Sequence, residues 1–294
     1  MNKLIVILGP TSSGKSALAI KLAPKFHGEI ISADSRQVYK GMDIGTGKVT
    51  KREQKLVPHY LLDVASPKKQ FTVAQFKPLA EKAIAQISAK NKLPFLVGGT
   101  PFYIYSVIDD LQIPEVAPNL KLRKQLEKKS PIELFKILQK LDPRRAQNID
   151  RQNPRRLIRA IEIIKSTGQP VPPYSRSSTY SPLILGIKKD LPKLFKLIDQ
   201  RLDARLKQGM VAEVEKLLKQ GVTHKRLYEM GLEYRYVSAY IRAYIRRDEM
   251  REQLKNAIHK FAKRQMTWFK TDSRIKWITS QKQAELLVKK YLAG

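Results

Sequence analysis

Cysteine is absent from this 294-residue chain. Disulfides, thiolate catalysis and zinc–thiolate sites are therefore excluded. Histidine is scarce, and His27, His59, His224 and His259 are too scattered for metal-ligand spacing. No apolar run approaches the ~18 residues that span a bilayer. The N-terminal apolar stretch is too short for a signal peptide and runs straight into a loop. A soluble, cytoplasmic protein with no membrane partner is the expectation. No fixed-period repeat is visible.

Acidic residues are also few. Against 26 Asp and Glu stand 57 Lys and Arg, a formal net charge of +31. Solubility needs far less, and such an excess marks a polyanionic partner, nucleic acid or an anionic surface. The excess is uneven. Residues 1–110 carry 16 basic and 8 acidic residues, and residues 111–294 carry 41 and 18. The later part is the expected polyanion-binding surface.

What the chain does contain is Gly9-Pro10-Thr11-Ser12-Ser13-Gly14-Lys15-Ser16, a fit to the phosphate-loop pattern G-x-x-x-x-G-K-[ST]. The apolar run Leu4–Leu8 precedes it and the helix-compatible Ser16–Ile20 follows, so the loop has its strand–turn–helix context. Main-chain N–H groups and a helix N-terminus suit an anion. Lys15 would supply a full charge to phosphate oxygens, and the Ser16 hydroxyl would face Mg²⁺. A chance Gly/Ser turn is the competing reading. The loop alone leaves phosphoryl transfer, nucleotide switching and diphosphate departure all open.

Short apolar strands at 3–8, 29–33 and 94–97 alternate with helical patterns at 14–24 and 72–89. That alternation predicts an α/β fold, a parallel-sheet core flanked by helices. From 113 the pattern turns helical and basic, over 120–129, 132–141 and 155–166, followed by a Pro/Ser/Tyr-rich connection at 169–176. Another strand is expected at 183–187, and a helical remainder after it. The predicted organisation is a core of 1–112 with 183–294, interrupted by a helical insertion at 113–182. In 250–270, Leu254, Ile258, Phe261, Gln265 and Trp268 share one side, and Lys255, His259, Lys263 and Lys270 another. The basic side is either a solvated face or a helix laid along a phosphate backbone.

Ligands of such sheets sit at the carboxyl ends of the strands. Three polar clusters fall there: the phosphate loop, Asp34-Ser35-Arg36-Gln37, and Gly98-Gly99-Thr100. If the first two strands are neighbours, Asp34 lies beside the phosphate site, where a carboxylate needs a task such as binding metal or accepting a proton. Its alternative is a turn or cap role. No second metal-binding Asp closes an apolar strand, Leu61-Leu62-Asp63 being a poor substitute, which weakens a nucleotide hydrolase.

Several segments together resemble the tRNA dimethylallyltransferase family. They are Gly9–Ser16, the long run 31–48, Pro58-His59-Tyr60-Leu61-Leu62-Asp63, Val97-Gly98-Gly99-Thr100, Asn153-Pro154-Arg155-Arg156-Leu157-Ile158-Arg159-Ala160 and Ala262-Lys263-Arg264-Gln265-Met266-Thr267-Trp268-Phe269. The likeness runs from about residue 4 to 270 in the family's order. It implies transfer of the dimethylallyl group from dimethylallyl diphosphate to N6 of adenosine 37, beside the anticodon, with Mg²⁺ as cofactor. It implies a phosphate-loop fold with a helical insertion. Residues Gly9, Pro10, Thr11, Ser12, Ser13, Gly14, Lys15 and Ser16 would bind diphosphate, with Ser16 on the metal. Asp34 would be the general base, with Thr100 at the reacting centre. Asp34, Ser35, Arg36, Gln37, Thr100, Arg123, Gln152, Asn153, Pro154, Arg155, Arg156, Lys263 and Arg264 match positions or segments that meet the tRNA anticodon stem-loop. No protein partner is implied, and a monomer is expected.

The chain departs from the family pattern at three places. Pro101-Phe102 follows Thr100 where glycine is usual. His259 stands where the family has an arginine that grips diphosphate. The segment Tyr228–Tyr234 also differs from the usual Gly-Tyr-Lys/Arg-Glu form. An adenylate prenyltransferase, a small-molecule kinase and a non-catalytic tRNA-binding protein are the alternatives.

Overall fold

The computed structural model describes residues 2–173 and 179–294, so the connection expected at 169–176 lies partly outside the described residues. Contacts divide the chain into two compact units, Met1–Ile108 with Ser178–Gly294, and Asp109–Ser177.

The first unit runs β1 (Asn2–Leu8), α1 (Lys15–Lys25), β2 (Gly28–Ser32), α2 (Lys51–Leu56), β3 (His59–Tyr60), α3 (Val73–Ala89), β4 (Leu93–Gly98) and α4 (Pro101–Ile108). The second unit carries α5 (Leu120–Leu126), α6 (Pro131–Leu141), α7 (Pro143–Gln147) and α8 (Pro154–Thr167). The chain then returns to the first unit with β5 (Tyr180–Ile187), α9 (Leu191–Lys207), α10 (Met210–Lys219), α11 (His224–Met230), α12 (Leu232–Ile241), α13 (Arg247–Phe269), β6 (Lys276–Ile278) and α14 (Gln281–Ala293).

Among the described residues the sheet has six strands, all parallel, in the order β3-β2-β4-β1-β5-β6. The register sets Leu8 between Gly98 and Gly186, and Ser32 beside Val97, so the ends of β1, β2 and β4 fall level. Leu4 to Leu8 are fully buried, as continuous apolar strands of a sheet covered on both faces must be. On α1, Ala19, Leu22 and Ala23 pack against Ile5, Ile7, Ile30 and Phe95. A capping box of Thr72 and Gln75 starts α3, whose Phe76, Ala80, Ala83, Ile84 and Ile87 are buried as the 3.6-residue spacing predicts.

The sequence reading needs three corrections here. The remainder after 187 is not wholly helical, because β6 adds a sixth strand. A three-residue strand is too short for periodicity to reveal, and β3, with two residues, is shorter still. β5 opens at Tyr180, so the sheet begins three residues before 183. On α13 the buried line is Met250, Leu254, Ile258, Ala262, Gln265 and Phe269, whereas Trp268 is 38% exposed. Steps of four and three residues along the axis carry that line past Phe261 and Trp268 to Ala262 and Phe269.

In the second unit each helix is capped by the residue before it. Asn119, Ser130, Asp142 and Asn153 accept N–H bonds through their side chains, and proline opens α6, α7 and α8. Leu126, Leu134, Leu138, Leu157 and Ile161 form the core. Glu162 is wholly buried and accepts from Arg123 Nε at 2.8 Å, Arg123 Nη2 at 2.7 Å, Arg159 Nη1 at 2.5 Å and the Asn119 N–H at 2.7 Å. Burial works to raise its pKa, but these donors prevail and hold it at about 2. The folded-state value lies below the ordinary 4.5, so the stabilisation is full above that pH and drains away as pH falls toward about 2. Acid titration followed by circular dichroism should therefore unfold this unit between those limits. Arg123→Ala should cost of the order of 2 kcal/mol at neutral pH, with allowance for the solvent that reaches the arginine. Unchanged urea unfolding would contradict that role.

Candidate functional site

The condition set for Asp34 is not met, because β4 lies between β1 and β2. The phosphate loop and the Asp34 cluster nevertheless face one cavity, lined by Lys15, Ser16, Asp34, Gln37 and Gly98. The cause is the bare end of β4. A Cβ on Gly98 would overlap the Ala33 carbonyl, and one on Gly99 would stand 3.3 Å from Lys15 Nζ. Without side chains at 98 and 99, the first and second loops close over the strand that separates them.

Gly14 caps α1 and Lys15 begins it, so the amides of the first turn have no intrahelical acceptor. Lys15 Nζ donates to the Pro10 carbonyl at 3.4 Å. Burial lowers its pKa to about 8; Asp34 opposes the shift, and Arg201 and Arg205 add to it. Ser13 Oγ is buried and has no hydrogen-bond partner among the described residues. The Thr11 N–H donates to Gln265 Oε1 at 2.9 Å, and Gln265 Nε2 donates to the Gly99 carbonyl at 2.5 Å. A residue that the sequence placed on an apolar stripe thus ties the phosphate loop to the end of β4.

Asp34 Oδ1 accepts the N–H groups of Arg36 and Gln37 at 2.8 and 3.3 Å. This is the turn role that the sequence left open. Among the described residues no hydrogen bond engages the other oxygen, so the turn role and a chemical role are compatible. Thr100 Oγ1 accepts the Ser35 N–H at 3.0 Å and donates to Ser35 Oγ at 3.3 Å. The Thr100 carbonyl accepts the N–H groups of Tyr103 and Ile104, and Pro101 is the first residue of α4. A proline fits there, since its fixed φ suits a helix start and no N–H is needed. Burial pushes the Tyr103 hydroxyl pKa up, so it stays protonated.

Two arginines that sequence reasoning passed over complete the walls. Arg201 and Arg205, one turn apart on α9, line a cavity of about 760 Å³ together with Gly14, Lys15 and Ser16. Arg201 Nη2 donates to the Gly47 carbonyl at 3.1 Å, and Arg205 Nη1 to that of Gly45 at 3.1 Å and to Glu233 at 3.1 Å. Burial, then the neighbouring Arg205, brings the Arg201 pKa down to about 10. Lys15, Arg201 and Arg205 therefore face one space, whose lining also holds Lys48 and Lys51 beside the carboxylates Asp43, Glu53 and Asp63. The available signal was an i, i+4 arginine pair beside an apolar stripe; only the fold shows that Arg205 is 8% exposed.

Residues 37–272 match the sequence model of the IPP transferase family. The chain belongs to this family. It is 40% identical over 287 residues to the tRNA dimethylallyltransferase of Acetivibrio thermocellus, covering 95% of this chain and 92% of that one. With tRNA dimethylallyltransferase 1 of Geotalea daltonii it shares 44% over 266 residues, 90% of this chain and 86% of the relative. The crystal structure of a tRNA isopentenylpyrophosphate transferase from Bacillus halodurans superposes with a TM-score of 0.75 at 33% identity, covering 100% and 96% of the two chains. A eukaryotic dimethylallyltransferase acting on tRNA gives 0.79 at 25% identity, over 99% of this chain and 78% of the other.

As an IPP transferase the chain departs from the expected pattern at His259, and the structure gives that residue a different partner. Its Nε2 lies 2.8 Å from Asp199 Oδ1, and its ring stacks on Phe195 at 4.0 Å. Lys263 Nζ sits over the same Phe195 ring, and Lys255 pairs with Glu252. This side of α13 therefore packs against α9, and the two arginines at the cavity come from α9 itself. Lys263 and Arg264 remain exposed. In the second unit, Gln152, Pro154, Arg155 and Arg156 are exposed around the start of α8, which Asn153 caps. Arg123 differs: its Nε and Nη2 are committed to Glu162.

Proposed function

We propose that this IPP transferase moves the dimethylallyl group of dimethylallyl diphosphate to N6 of adenosine 37, next to the anticodon of a tRNA. The observation that carries the reading is that Lys15 and Ser16 line both the 760 Å³ cavity of Arg201 and Arg205 and a small cleft of about 20 Å³ that holds the Asp34 carboxylate. A cation and a helix N-terminus suit a departing diphosphate, and a carboxylate beside them suits removal of a proton from an amine.

The N6 amine is a weak nucleophile because its lone pair is delocalised into the adenine ring. An allylic diphosphate compensates. Its C1–O bond loosens toward a resonance-stabilised cation, and the electron pair leaves with the diphosphate. Lys15, Arg201, Arg205 and the first-turn amides of α1 face the charge that builds there. The N6–C1 bond forms, and the N6 proton passes to the free oxygen of Asp34. Thr100, bonded to the Ser35 amide, fixes the turn that aims this carboxylate. The loop also fits Mg²⁺, since the Ser16 hydroxyl is a hard oxygen donor beside Lys15, on the side where diphosphate oxygens would lie. Bound there, the ion would neutralise part of the leaving group's charge.

The target base must leave its stack to reach a recessed pocket. Ser35, Arg36 and Gln37 at the pocket, with Gln152, Asn153, Pro154, Arg155 and Arg156 on the second unit and Lys263 and Arg264 on α13, are the proposed tRNA contacts. The net charge of +31 supports an anionic partner of that size.

The test is a three-way transfer assay with Mg²⁺: labelled dimethylallyl diphosphate with unmodified tRNA, the same donor with AMP, and γ-labelled ATP with candidate acceptors. Label should enter tRNA alone. Label in AMP would make the chain an adenylate prenyltransferase, and phosphoryl transfer would make it a kinase.

A further inference from the structure

The segment 43–47 forms one wall of the cavity, and its main chain is held from both sides. Three consecutive N–H groups converge on a single carboxylate. Those of Asp43 and Ile44 donate to Glu213 Oε2 at 2.7 and 2.6 Å, and that of Gly45 donates to Oε1 at 3.0 Å. Tyr234, from α12, donates its hydroxyl to the same Oε1 at 2.9 Å. Consecutive amides arranged in this way make an anion-binding concavity. Here a side chain of the protein fills it.

Glu213 is 9% exposed and Tyr234 1%. A carboxylate so buried is costly unless every lone pair is used, and four donors use them. The opposite edge of the segment carries the carbonyls of Gly45 and Gly47, which accept from Arg205 and Arg201. The Gly47 carbonyl also accepts Gln37 Nε2 at 3.4 Å, three residues from Asp34. Neither glycine has room for a side chain. A Cβ on Gly45 would stand 2.8 Å from the Tyr234 hydroxyl, and one on Gly47 would overlap the guanidinium groups of Arg201 and Arg205. One carboxylate on α10 therefore sets the position of the carbonyls that aim the two cavity arginines.

We propose that Glu213 is a positioning residue for prenyl transfer, clamping segment 43–47 so that Arg201 and Arg205 present their charge to the diphosphate. The proposal rests on reading the cavity as the diphosphate site. Glu213→Gln keeps the shape but turns an NH₂ group toward at least one N–H that was bonded. In the full chain, calorimetric titration with inorganic pyrophosphate and Mg²⁺ should give a Kd raised about tenfold, the loss expected for one bond to a charged acceptor. The KM for dimethylallyl diphosphate should rise in proportion, while the KM for tRNA stays within about two-fold. A purely structural role would instead move both KM values together, or neither. Tyr234→Phe removes one hydroxyl from the same carboxylate and should weaken pyrophosphate binding in the same direction, which serves if Glu213→Gln does not fold. Unchanged pyrophosphate affinity in a folded variant, or equal rises in both KM values, would overturn the clamp. An unsubstituted protein that binds no pyrophosphate would overturn the diphosphate reading and the clamp with it.

Discussion

Asp34→Asn should lower turnover by about 10²–10⁴-fold while leaving tRNA affinity within about two-fold, the loss expected when a general base is removed. The substitution is informative because of how Asp34 is held. Its Oδ1 accepts two backbone N–H groups, and an asparagine oxygen can accept both as well. The turn survives, Ser35 and Thr100 keep their bond, and only the basic oxygen is lost. Single-turnover kinetics with saturating tRNA would report the chemical step, and a filter-binding titration the affinity. Equal losses in both would show that Asp34 holds RNA rather than a proton.

Lys15→Ala should cut kcat/KM for the prenyl donor by about 10²–10³-fold, in the range found when one preorganised donor to a developing anion is lost. The same residue predicts a pH dependence. Burial holds its pKa at about 8, well below the ordinary 10.5. The free enzyme therefore carries this charge below about pH 8 and loses it above, so pyrophosphate binding should weaken as pH rises through that value. Bound diphosphate favours the charged form, so binding near pH 8 should take up a proton, measurable as a buffer-dependent binding enthalpy. The depressed value also means that the unfolded chain holds a proton the free protein has released between about 8 and 10.5, so stability should rise with pH across that window. Pyrophosphate binding flat from pH 7 to 9.5 would remove Lys15 from the leaving-group site.

How readable the site was depended on how far apart its parts lie in the chain. Gly9 to Ser16 are contiguous, so their pattern needs nothing beyond one strand end and one helix start. Asp34 and Thr100 each follow an apolar strand, and strand ends are where an α/β sheet keeps its chemistry. The second unit was legible as helices from its pattern over 120–129, 132–141 and 155–166, and the structure adds the caps Asn119, Ser130 and Asn153 directly before them. Arg201, Arg205, Glu213 and Gln265 were not legible as parts of the site. Their partners Gly47, Gly45, Asp43 and Thr11 lie more than 150 residues away, and local spacing says nothing about such pairs. Lys255 and His259 read as a basic face because Glu252 and Asp199, which pair with them, do not enter a count of positive residues.

The order of residues by itself determined the phosphate loop, the strand-and-helix alternation, the basic excess and the likeness that runs along most of the chain. Each depends on neighbours within a turn, a strand or a running sum. The tertiary structure alone decided which groups share the cavity. It set β4 between β1 and β2, placed the bare Gly98 and Gly99 where a side chain would meet Ala33 and Lys15, and brought α9, α10 and α13 back over loops formed more than 150 residues earlier. Such meetings follow from how buried surfaces pack, and packing is a property of the folded chain that no local pattern encodes.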